Sequence, residues 1–363
     1  MRKLSYIGMV MITLAMGCRE PFAGFDYVGN GSKMVVEAIV TDTGAFSYVR
    51  LSYSEPIQGG EEPDYRYEDH ARVLIIDDLG AEYVFDNTDS GFYANPGFRP
   101  GFDRSYRLAI QLGENEFMSD WQRLEFDQVD PMVLSYRPDT RQVLNDLGNP
   151  VDENVITISE MVTRKEQDLR YFWQFKHFYL FDAYGQPDIA SYLPDAERFC
   201  YVQDLEVLEL MIHEDRVGFG AIGPVYELDI NVIPFSRKMV YDYALQVIRY
   251  NVSEEVYQYL DRVKSQIDNN GGVFDSAPSE IESNIRRTAG ELDVLGFFGV
   301  FNVTSDYLFF NQSELPFQPL SFPTTDDHCA RAPEGIDSIN FSCWNCKAVL
   351  SDFISVDKPL WWR

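Results

Sequence analysis

Between Met34 and Gly113 the sequence breaks into short β-forming runs separated by turn signals, and this rhythm constrains the fold more than any other feature. Met34 to Val40 ends at Thr41-Asp-Thr-Gly44, and Tyr48 to Tyr53 alternates with period two. Arg72 to Ile76 stops at Asp77-Asp-Leu-Gly80, Glu82 to Phe85 alternates briefly, and Tyr106 to Ile110 stops before Gly113. Asp86-Asn-Thr-Asp-Ser-Gly91 has a faint look of a calcium loop, but Gly97 stands at the closing carboxylate position, so it reads as a hairpin turn. Roughly seven short strands over about 90 residues predict an antiparallel β-sandwich, assigned to residues 34–127.

The second domain, 128–363, reads as β-rich with one main helix. Met132 to Tyr136 is followed by a polar stretch up to Asn154, and Val155 to Ile158 is again β-forming. Tyr171 to Phe181 holds seven Phe, Tyr and Trp residues. It reads as a strand packed on both faces, with an aromatic platform for a sugar or peptide as the functional alternative. Ser253 can cap a helix near 254–270 whose first turn carries Glu254 and Glu255. Val256, Leu260, Val263 and Ile267 form its apolar face, and Asn270-Gly-Gly272 ends it. Leu295 to Phe301 and Tyr307 to Phe310 return to β.

The beginning of the chain reads as an export signal. Arg2 and Lys3 precede the mostly apolar Leu4 to Met16, and Gly17-Cys18 follows. The expectation is a signal peptide, 1–17, cleaved before a lipidated Cys18, with 18–33 as a spacer. The formal net charge is −28. Losing Arg2 and Lys3 leaves 28 basic against 58 acidic groups, a formal −30. That charge opposes phosphate backbones and excludes nucleic acid as an expected partner. It also opposes anionic lipid, so membrane contact is expected through the acyl anchor.

With Cys18 lipidated, Cys200, Cys329, Cys343 and Cys346 remain, an even set that in an exported chain reads as two disulfides. Closing Cys343 on Cys346 makes a very short loop, so the preferred pattern joins Cys329 to one of those two and Cys200 to the other. The rival reading is a zinc site from His328, Cys329, Cys343 and Cys346. The expectation is no metal and no cofactor. No catalytic residues are assigned: His213-Glu214 lacks a second histidine at the metalloprotease spacing, and there is no GxSxG elbow or Walker loop. Asn251, Asn302 and Asn311 head glycosylation triplets, which arise by chance and carry little weight.

Several stretches in order resemble a family of uncharacterised lipoproteins of Gram-negative bacteria, a domain of unknown function found beside TonB-dependent outer-membrane transporters. They are Met34 to Asp42, Gly91-Phe-Tyr93 to Tyr106-Arg-Leu108, Arg170-Tyr-Phe-Trp173, and Tyr243 through Leu260. Gly271 to Asp275, Asn284-Ile285, Leu295 to Phe298, Cys343-Trp-Asn-Cys346 and Lys358-Pro-Leu-Trp-Trp362 follow. Trp361 stands where the family usually has Phe, and Arg363 extends past its usual ending. The resemblance implies an immunoglobulin-like or transthyretin-like N-terminal sandwich, an outer-membrane and cell-surface location, and a plugged β-barrel as partner. It carries no catalytic residues. The expected role is a non-catalytic accessory for ligand capture, lid closure or assembly, with a peptide or glycan as conceivable ligand. The alternatives are an exported hydrolase or protease, or a structural envelope protein. Phe297, Phe298, Phe309, Phe310, Trp344, Trp361 and Trp362 are the candidate partner surface.

Overall fold

The computed structural model describes residues 32–54, 66–126, 129–145, 147–165, 168–183, 197–204, 210–215, 225–268, 281–320, 345–349, 351 and 353–362. The first seven strands are β1 (Met34–Thr41), β2 (Tyr48–Tyr53), β3 (Arg72–Asp77), β4 (Glu82–Asp89), β5 (Phe92–Ala94), β6 (Tyr106–Leu112) and β7 (Asn115–Ser119). Then come β8 (Leu134–Leu144), β9 (Pro150–Thr163), β10 (Leu169–Asp182), β11 (Phe199–Gln203), β12 (Met211–Asp215), β13 (Val225–Pro234) and β14 (Tyr243–Asn251). The helix α1 (Glu254–Asp268) precedes β15 (Ile285–Ala289), β16 (Val294–Phe310) and β17 (Ile354–Ser355). The chain is mainly β with one α-helix among the described residues, as its sequence rhythm predicts.

Strand order in the large sheet is β15-β7-β6-β3-β4-β5-β2-β1-β16-β14-β10-β11-β17, with β12 also on β10. The first part folds over on itself because β4 pairs with β3 through one end and β5 through the other. Alternate residues then point inward from both layers: Met34, Val36, Ala38 and Val40 meet Val73, Ile75, Leu108, Ile110 and Phe117 in one apolar core. This core also takes Ile285, Phe298 and Val300 from far along the chain. The boundary expected near residue 127 therefore marks only the end of the contiguous part of the sandwich.

The long strand β16 joins the two halves. Val294–Phe301 runs parallel to β1, and Asn302–Phe310 runs antiparallel to β14. At the change of partner sits buried Asn302, whose Nδ2 donates to Asp42 Oδ2 (3.0 Å) and Phe126 O (2.9 Å). Its Oδ1 accepts from the Phe126 N–H at 3.1 Å. Near the other end of the parallel stretch Gly296 takes φ +113°, and a Cβ there would lie 1.8 Å from the Val36 carbonyl oxygen. Only glycine fits that approach.

In the second half, Tyr171, Trp173, Phe175, Tyr179 and Phe181 of β10 face the three-stranded sheet β13-β9-β8. Phe172 and Phe178 point the other way. The aromatic run is thus a strand with both faces covered. Ser253 caps α1 by accepting the Val256 N–H at 3.3 Å, and Val256 and Leu260 pack on Phe172, Ile248 and Phe301. Val263 is half-buried and Ile267 exposed, so the expected apolar face is used over the first two turns only. Cys200 and Cys346 form a disulfide that ties the last segment to β11. Cys346 is therefore not a thiolate donor, and the zinc reading loses one ligand. Cys329 and Cys343 lie outside the described residues, as do Cys18 and the rest of residues 1–31.

Candidate functional site

A cavity of about 830 Å³ opens between the two halves. The sandwich contributes Phe46, Tyr48 and Phe92, the last two with ring centroids 5.6 Å apart. The second half contributes Gln174, Lys176 and His177 of β10, Gln203 at the end of β11, Asp204 just after it, Asn231 of β13, and Lys238. A bulge between Asp229 and Asn231 on β13 sends Ile230 into the core and Asn231 to the cavity wall.

The polar groups here are already engaged. Tyr250 Oη donates to Gln174 Oε1 at 2.9 Å, and Tyr48 Oη donates to the Glu37 carboxylate. Burial pushes both phenols well above their ordinary range. His177 Nδ1 is hydrogen-bonded to Tyr243 Oη. Burial, reinforced by the charge of Lys238, lowers the His177 imidazole to about 3, so it is neutral at ordinary pH. Lys238 pairs with Asp204, whose N–H donates to the His177 carbonyl at 2.8 Å. The charged lining is Lys176, Lys238 and Asp204, a net +1 on a chain of −28. Aromatic walls with amides and little net charge can hold an uncharged polar ligand or a weakly anionic one.

The second core contains a buried ion pair. Glu160 and Arg249 are in direct contact, Trp173 Nε1 donates to Glu160 Oε2 at 2.8 Å, and Arg249 Nη2 donates to Asp130 O at 2.7 Å. Desolvation raises the Glu160 carboxyl despite Arg249 and the indole N–H. Among the described residues no group of three or more His, Cys, Asp or Glu is placed to hold a metal ion. No helix among them is long and apolar enough to cross a membrane.

The expected partner surface is largely corrected to core. Phe298 is fully buried in the sandwich, Phe297 packs on Tyr259 of α1 at 5.2 Å, and Phe310 stacks on Tyr243 at 5.1 Å. Trp362 is buried against Tyr201 at 4.9 Å. The reason is that both faces of β16 are covered from Gly296 to Val303, so alternation exposes neither Phe297 nor Phe298. Phe309 and Trp361 are half-buried in a stack with Tyr307, beside the fully exposed Leu360. Trp344 lies outside the described residues. Asn251 and Asn302 are buried, which removes them as glycosylation acceptors in the folded chain. Sequence reasoning missed the cavity because its lining comes from segments as far apart as Phe46 and Lys238, and no local spacing links them.

Two β units sharing one long strand, with a cleft between them, define a two-sandwich β protein. The chain belongs to the family described as Domain of unknown function (DUF4249), whose model matches residues 20–306. No curated protein and no solved structure matches the chain.

Proposed function

We propose that the chain is a lipid-anchored, non-catalytic accessory of a TonB-dependent outer-membrane transporter that captures a peptide or glycan in the cleft between its β units. The cleft carries this reading: aromatic rings and amides converge there, with one net positive charge on an otherwise strongly acidic molecule. The leader pattern ending at Cys18 supports an anchor, and the resemblance to lipoproteins found beside such transporters supports the partner. Anchoring holds the two proteins at high effective concentration, so a weak contact suffices. Purification of the tagged full chain from native membranes is expected to recover a TonB-dependent barrel, and the mature N-terminus to carry acyl groups on Cys18. Recovery of no barrel, or turnover of a peptide or glycan that one cluster of residues abolishes when changed, overturns the reading.

A further inference from the structure

The ribbon of β8 and β9 runs past the end of its neighbour. β13 pairs with β9 only from Val155 to Thr163, whereas β8 pairs with β9 out to Leu144 and Pro150. Residues 137–145 and 147–154 form a two-stranded arm, almost all of it exposed, reaching roughly 20 Å beyond the sheet. A two-stranded ribbon with neither face covered is marginal by itself. Yet its tip is well tied. The Asn145 N–H donates to Asn149 O at 2.9 Å, and Gly148, at φ +75°, donates its N–H to Asn145 O at 2.8 Å. Asn145 Oδ1 accepts from the N–H groups of Leu147 (3.0 Å) and Asn149 (2.9 Å).

This ordered turn displays apolar side chains. Leu147 is 84% exposed, Leu144 72% and Val151 40%. Behind the tip the shaft is acidic. Its basic residues are Arg137, bound to Asp229 through two hydrogen bonds of 2.7 and 2.6 Å, and Arg141, bound to Glu153 at 2.8 Å. No other Lys or Arg occurs between 137 and 154 to neutralise Asp139 and Asp152.

We propose that this arm is a docking plug: Leu144 and Leu147 enter an apolar socket, rimmed by basic side chains, on the barrel partner. The proposal rests on the reading in the preceding subsection. Charge selects the occupant. An acidic shaft is repelled by anionic lipid and by a second copy of so acidic a chain, and is attracted to a basic rim. The apolar tip supplies the small buried centre that dominates most interfaces.

The test compares barrel recovery from native membranes by the tagged full chain and by its variants. Leu144→Asp with Leu147→Asp is expected to lower recovery tenfold or more while leaving the thermal midpoint unchanged, because both side chains face solvent in the free protein. Asp139→Lys with Asp152→Lys is expected to lower it less, with the loss shrinking at high salt. A photoreactive residue at 147 is expected to crosslink to the barrel. If the wild type recovers no barrel, the functional reading falls and the plug with it. If the wild type recovers the barrel and the tip variant recovers as much, only the plug is overturned. Crosslinks from 147 to lipid or to another copy of the chain also overturn it.

Discussion

The two halves of the molecule are built by the same alternation of side chains but fill their interiors differently. Among the described residues the sandwich buries one carboxylate, Asp77, at its margin and no Lys, Arg or His, and the remaining ionisable groups in its core are the phenols Tyr93 and Tyr106. The second half buries Glu160, His177, Asp182, Asp215 and Arg249. Buried ion pairs add little net stability, because desolvation offsets their attraction. Their effect here is to fix which strands meet, since Glu160 on β9 reaches both Trp173 on β10 and Arg249 on β14. The sandwich needs no such device, because its register follows from apolar alternation and tight turns.

The most direct way to break this contrast is to remove one member of the pair. Arg249→Met should cost about 3–5 kcal/mol by leaving Glu160 charged or protonated without its partner. Glu160→Met with Arg249→Met together should recover most of that loss. Urea unfolding followed by tryptophan fluorescence reads both, and a single-variant cost below about 1 kcal/mol would remove the network as the difference between the halves. Next in size, Cys200→Ser with Cys346→Ser should cost about 2–5 kcal/mol, since the bond closes a loop with a sequence separation of 146. Thermal unfolding with and without reductant measures this, and the variant should respond less to reductant than the wild type. In the joint itself, Gly296→Ala should cost about 1–3 kcal/mol by driving a Cβ into the Val36 carbonyl at positive φ.

The smallest effect concerns pH. His177 is held neutral when folded and titrates near 3, while in the unfolded chain it protonates near 6.5. Between those values the unfolded state binds more protons, so stability rises with pH across the window and is lost as pH falls. Asp77 in the sandwich behaves differently. Its carboxyl is lowered from 3.8, chiefly by the Ala81 N–H, so its contribution persists above the carboxylate range and is lost only as pH falls below about 4. Unfolding midpoints at pH 7 and pH 5 should therefore differ, and His177→Gln should flatten that difference. An unchanged slope in the variant would assign the acid sensitivity to another group.

How much of this was legible in the sequence differs between local and distant features. Tyr48–Tyr53 and Arg72–Asp77 were readable because period-two alternation and the following turn residues lie within a few positions of each other. Ser90 and Gly91 do make the expected turn, both at positive φ. The start of α1 was readable from Ser253, but not the fate of Ile267, because helical spacing cannot say where the covering surface stops. The polar stretch before Asn154 carried no hint that it pairs into an arm, since its residues face solvent on both sides and alternation has nothing to mark. Phe297 and Phe298 were misplaced as surface because the sequence does not show that a helix covers one face of β16 and a sandwich the other. The cleft had no local signature at all.

The parallel pairing of β1 with β16 also sets a timetable. Met34 lies opposite Val294, some 260 positions later. A chain that emerges N-terminus first leaves β1 without its second neighbour until those residues have arrived. Through that interval the first apolar strand has one unsatisfied edge, the kind of edge that recruits wrong partners. The sandwich that begins the chain is thus among the last parts of it to close, and a truncated product lacking β16 would have a permanently open edge.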